Sequence, residues 1–171
     1  MSPRRSYFLR RIVEVSPLSV MWLVFFLSYL PPIFFPLQGF SGLMVFIPLF
    51  YFTLNFPDKI GYLAVTLLGL TADALEGRII GVNLFSLLFF QTAGAYQRIY
   101  ILDKSFIITW LAFSLTLLAA LSIKWALFAL RADAIIPTAA FLISSVKLMA
   151  LYPVFYFVFG KLYAERGHMR V

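Results

Sequence analysis

Gly69-Leu-Thr-Ala-Asp-Ala-Leu-Glu-Gly-Arg-Ile-Ile-Gly-Val-Asn83 is a polar island in an otherwise oily chain. Its acid, Asp73, stands among Gly69, Gly77 and Gly81, with Glu76 and Arg78 close by. Asp73, Gly77 and Gly81 recur every four residues, and Gly69 carries the series backward. In a membrane, small residues at that spacing let helices approach closely, so that packing and interhelical hydrogen bonds drive association. Glycine also permits a tight turn. The stretch therefore predicts a helical hairpin in which Asp73 caps the helix that follows or pairs with a lysine; the competing reading of Gly69, Asp73, Gly77, Gly81 and Asn83 is a recognition site for a partner or ligand.

Outward from the hairpin the chain is apolar in both directions. It is 63% hydrophobic and 12% charged over 171 residues, whereas soluble domains carry about 25% charged residues. Aromatic side chains, 19% of the total, suit lipid-facing helices and interfacial belts. These numbers predict an all-α integral membrane protein. Six apolar segments, near 17–36, 37–54, 59–74, 79–97, 105–130 and 135–160, predict a six-helix transmembrane bundle across 17–160. A basic segment, 1–16, precedes it and a polar tail, 161–171, follows. The first apolar run is too long for the core of a cleaved signal and reads as a retained span. Pro31-Pro32 must end or kink it. The second segment is short and contains Pro48, which predicts a thinned or protein-shielded setting.

Basic residues sort by loop. The N-terminal segment, the 55–59 and 98–104 loops and the C-terminal tail hold ten of the 14, whereas the opposite side holds only Arg78 and Arg131. Positive residues gather on the cytoplasmic side, so both termini are expected in the cytoplasm and the 75–78 turn outside. The net charge of +7 then points to anionic lipid headgroups rather than nucleic acid. Arg4, Arg5, Arg10 and Arg11 are the expected lipid-facing residues, either as an interfacial helix or as a loose positive tail. The two remaining basic residues, Lys124 and Lys147, fall within spans. Both are read as buried charges, although Lys124, near the outer end of its helix, has a stem long enough to snorkel outward. Lys147, about halfway along the last span, is expected to face the bundle interior, because a charge at mid-membrane costs about 2.5–3.5 kcal/mol even on a mild scale.

Enzyme signatures are absent: there is no nucleophile-elbow, phosphate-loop or zinc-protease motif. With no Cys and a single His at position 168, thiolate and histidine chemistry and cofactor binding are not expected. Asp73 and Glu76 could share a helix face for a divalent cation, but such sites recruit further oxygen ligands. Only Asn83 lies near, so no metal is expected. A lipid-modifying enzyme using the two acids ranks last for the same lack of partners.

The pattern Gly69-Leu70-Thr71-Ala72-Asp73, then Gly77, Gly81 and Asn83, set in six spans of this total length, resembles the MreD family of rod shape-determining proteins. That resemblance implies a non-enzymatic subunit of the bacterial elongation machinery in the inner membrane, helping to position peptidoglycan synthesis and so control cell shape. It implies MreC as the membrane partner and indirect links to MreB, RodA and a class B penicillin-binding transpeptidase, within a higher-order hetero-oligomer. It also implies a fold similar to the substrate-binding subunits of energy-coupling-factor transporters. A vitamin-binding subunit of that kind is the competing reading. Such subunits carry small residues on their first span, and 17–36 contains no alanine.

Overall fold

The computed structural model describes residues 17–29, 42–77, 80–101, 104–130 and 138–164. Among them the chain is all-helical. α1 covers Pro17–Ser28; a 3-10 turn, Leu43–Val45, leads into α2, Phe46–Asn55; a second turn, Pro57–Lys59, precedes α3, Tyr62–Glu76. α4 (Val82–Ile101), α5 (Phe106–Ala129) and α6 (Thr138–Ala164) complete the order. Among the described residues two helical stretches, Phe106–Ala129 and Leu142–Lys161, are long and apolar enough to cross a membrane. The Pro31-Pro32 break, Arg78, Arg131 and the four arginines of the N-terminal segment lie outside the described residues.

The shortest helix is at the centre. Every residue of α2 from Phe46 to Leu54 is buried, because α1, α4 and α6 all pack on it. The shielded setting expected of this segment is what the structure has. Pro48 belongs to the first turn of α2, where a missing amide proton breaks no helical bond, so it does not kink the helix. Around Phe50 the rings of Phe90, Phe113 and Tyr152 meet at centroid distances of 5.7, 5.4 and 6.1 Å.

Helix ends differ from the expected segments where tertiary bonds extend or trim them. α4 begins at Val82 instead of 79 and runs past Arg98 to Ile101. Arg98 is more than a topology charge: its Nε donates to the Leu54 carbonyl at the end of α2, at 2.8 Å. Gln91 Nε2 likewise donates to the Ile60 carbonyl at 3.0 Å. α6 continues beyond Gly160 to Ala164.

α5 and α6 are antiparallel neighbours in a register set by three contacts. Trp110 Nε1 donates to the Met149 carbonyl at 2.9 Å, Phe113 stacks on Tyr152 at 4.1 Å, and Phe106 meets Tyr156 at 4.9 Å. The first has a local cause. Pro153 stands inside α6 and has no N–H to give the carbonyl four residues back, which is that of Met149. The Trp110 indole takes that place. Trp110→Phe is therefore expected to cost about 1–3 kcal/mol, the penalty of an unsatisfied buried acceptor, and adding Pro153→Ala, which restores the amide donor, is expected to recover most of it. Thermal unfolding midpoints of the four proteins in detergent check this. An equal loss from Trp110→Phe in both backgrounds would refute it.

Candidate functional site

The hairpin is built around Asp73, which lies on α3 and is only 2% exposed. Its carboxylate accepts from the backbone amides of Gly81 at 2.7 Å, Asn83 at 2.9 Å and Leu84 at 3.4 Å. These are amides of the first turn of α4 and its approach, the donors that a helix start leaves unsatisfied and that favour a negative charge. The same residue's carbonyl accepts from Gly77 N–H at 3.2 Å and closes α3. Asp73 thus ends one helix with its backbone and begins the next with its side chain. Between capping the next helix and pairing with a lysine, the cap is the role made.

The glycine series divides into two mechanisms. Gly69 is a crossing point: a Cβ there would lie 2.6 Å from the Leu84 Cα, backbone against backbone. Gly77 and Gly81 have φ of +59° and +104° with open space where a side chain would go. They supply the turn that glycine permits, and the close packing that the four-residue spacing also suggests is made at Gly69. The period of four fits a helix face and a helix–turn–helix spacing equally well.

Lys124 does not take the outward route open to its stem. Its ammonium turns inward from α5 and donates to Asn83 Oδ1 at 2.6 Å, and it lies 3.4 Å from Glu76 Oε1. Inward bonding wins because two acceptors on the hairpin lie within reach, whereas turning outward would leave Glu76 without a counter-charge among the described residues. The Lys124 and Glu76 side chains are 14% and 13% exposed. Tyr29, just after α1, donates to the same Glu76 oxygen at 3.3 Å, and a side chain at Gly42 would run into that tyrosine hydroxyl. Tyr29, Glu76, Lys124, Asn83 and Asp73 therefore form one bonded series tying α1, α3, α5 and α4 together. Sequence reading missed Tyr29 and the structural use of Glu76; a lone tyrosine at the end of an apolar run carries no spacing signal. In a double-mutant cycle of Lys124→Met with Glu76→Gln, the expected coupling is about 0.5–3 kcal/mol, with Lys124→Met alone worse than the pair because it strands the carboxylate. Additive midpoints would show that the ion pair contributes nothing.

Lys147 is a correction. It was expected to face the bundle interior, yet it lies on the exposed side of α6 with Ile143, Val146 and Ala150. Ser145, Leu148 and Tyr152 take the buried side. Arg4, Arg5, Arg10 and Arg11 fall outside the described residues.

Chemically, the cluster is a lock. Both Asp73 oxygens are occupied by amide donors, and Glu76 Oε1 is shared by an ammonium and a phenol. Comparison with known proteins agrees with the resemblance that the glycine and aspartate positions carry. A family model described as rod shape-determining protein MreD matches residues 9–164, nearly the whole chain. No curated protein and no solved structure matches.

Proposed function

Because the chain belongs to the MreD family of rod shape-determining proteins, we propose that it is a non-enzymatic scaffold of the bacterial elongation complex, holding MreC within the inner membrane. Through that contact it helps to place peptidoglycan synthesis along the cell cylinder, with MreB, RodA and a class B transpeptidase as indirect partners. The family match over 9–164 carries the reading. The hairpin geometry supports it, because both Asp73 oxygens accept from backbone amides of the same chain and so hold the hairpin together. In this reading the bundle spans the membrane six times with both termini cytoplasmic. The α3–α4 turn lies outside, and the arginines of 1–16 lie against anionic lipid.

The hairpin's part in the complex is tested by co-purification of MreC with tagged chain from membranes. Asp73→Ala and Gly77→Leu are each expected to lower MreC recovered per chain. Unchanged recovery with both would sink the hairpin's role, and no MreC with the unaltered chain would sink the scaffold reading.

A further inference from the structure

α3 stops short of one side of the membrane. Its 15 residues, Tyr62–Glu76, measure about 22 Å at 1.5 Å per residue, against about 30 Å for a hydrocarbon core. Its neighbour α4 shows where the shortfall lies. Arg98 bonds the Leu54 carbonyl at the end of α2, and Gln91 bonds the Ile60 carbonyl just before α3. Positions 91 and 98 lie two turns apart on one helix face, so between Leu54 and Ile60 the chain climbs back by about 10 Å. The two measures agree. The other end of α3 is held by Asp73 and the glycine turn, so the deficit falls at the foot. Leu84 lies against Gly69 and Gln91 against Ile60. On the same strip of α4, Ala95 and Ile99 pass below that foot, and Ile99 is 80% exposed. Above it Leu63 and Leu67 are exposed to lipid, whereas at the foot Asp58, Lys59 and Gly61 are the exposed residues. Charges and open backbone do not lie bare in hydrocarbon, so water and headgroups rise to meet them and the bilayer is thinned there.

We propose that this notch, bounded by the Pro57–Lys59 turn, Tyr62 and the end of α4, seats the phosphate headgroup of an anionic phospholipid. The headgroup sits deeper than its neighbours in the leaflet, and its acyl chains rise along Leu63 and Leu67. Lys59 and Arg98 supply the charge. The Lys59 ammonium is stationed at the turn, 5.9 Å from the centroid of the Phe56 ring. Arg98 gives its Nε to the Leu54 carbonyl, and its guanidinium fork has further donors in a geometry that matches phosphate. Lys104, exposed just past the end of α4, adds to the field. Asp58 opposes it at the turn, as does Asp103 in sequence, which leaves three cations to two acids and favours an anionic over a zwitterionic headgroup. A transmembrane helix of a partner does not fit a recess of about 10 Å, less than two helical turns. With the termini in the cytoplasm the notch opens to the inner leaflet; the lipid assignment depends neither on that side nor on the scaffold role.

The chain has no cysteine, so single introduced thiols report water access, and a Cβ at Gly61 meets nothing within 4 Å. Purified chain in phosphatidylcholine nanodiscs is treated with a membrane-impermeant maleimide. Leu67→Cys, on the lipid-facing side of α3, and Ser105→Cys, in an exposed loop, are the references. Gly61→Cys is expected to react like Ser105→Cys, and Leu67→Cys to resist. Adding phosphatidylglycerol to the disc is expected to slow Gly61→Cys relative to Ser105→Cys, a ratio that cancels any repulsion of the reagent by an anionic surface. Lys59→Gln is expected to raise the fraction of phosphatidylglycerol needed for half-protection about fivefold, and Asp58→Asn to lower it. Lys59 is chosen over Arg98 because Arg98 also holds the end of α2. A Gly61→Cys thiol as resistant as that of Leu67→Cys in both discs overturns the notch. Labelling indifferent to phosphatidylglycerol, or protection that Lys59→Gln leaves unchanged, overturns the headgroup assignment. Protection by inorganic phosphate in phosphatidylcholine discs also overturns it, because the site would then take a soluble anion.

Discussion

Asp73→Ala is expected to lower the unfolding midpoint of the purified chain by about 10 °C. Two short bonds from buried amides to a carboxylate are lost, each worth about 1.5–3 kcal/mol, and 1 kcal/mol moves the midpoint about 2–4 °C in a chain of this size. The Leu84 contact, at 3.4 Å, is too long to add much. Asp73→Asn should fall between the two. Its single carbonyl oxygen can replace one acceptor, while its amide group sets a donor against the Gly81 or Asn83 N–H. Hydrogen exchange gives a local reading: the Gly81 and Asn83 amides should exchange faster in Asp73→Ala by a larger factor than amides in the middle of α5. If Asp73→Asn proves as damaged as Asp73→Ala, the charge matters and the acceptor geometry does not; an intact Asp73→Ala would mean the cap contributes nothing.

Gly69→Leu is expected to prevent the folded chain from accumulating, and Gly69→Ala already to destabilise it by about 1–3 kcal/mol, the usual cost of overfilling a packed site. The obstacle is the Leu84 backbone, 2.6 Å from the new Cβ, and a backbone cannot swing aside as a side-chain tip can. The α3–α4 crossing must open, which also draws Asp73 away from the amides it caps. Gly77→Ala meets open space and bears only the left-handed strain of φ +59°, about 1–2 kcal/mol. Gly160→Ala also meets nothing and should be close to neutral. Membrane yield and unfolding midpoints across the three alanine variants should rank them Gly69, Gly77, Gly160 from worst to best. Gly160→Ala as the most damaging would refute the crossing argument.

The membrane class, the helical segments and the hairpin could be read directly from the residues, because composition and the 69–83 island act locally. What could not be read is direction. α6 is apolar on every side, so no hydrophobic asymmetry shows which way Lys147 points; only the stacking of Tyr152 on Phe113 decides it. Lys124 had two routes out of the oil, and the choice depended on where Glu76 and Asn83 came to rest, which is a tertiary fact. The Trp110 bond was half legible: Pro153 announces that the Met149 carbonyl lacks its helical donor, but not which donor arrives. The glycine series left its division between turn and packing open because its spacing satisfies two geometries at once.

The enclosure of α2 bears on the order in which the chain can be completed during synthesis. α2 is short for an independent helix, and side-chain donors to the Leu54 carbonyl near its end and to Ile60 after the following turn come late. Leu54 is capped by Arg98, 44 positions downstream, and Ile60 by Gln91, 31 positions downstream. When α2 leaves the ribosome only α1 among its three walls has been made; the Arg98 bond comes with α4, and the last wall with α6. The innermost helix of this protein is thus completed by segments synthesised after it.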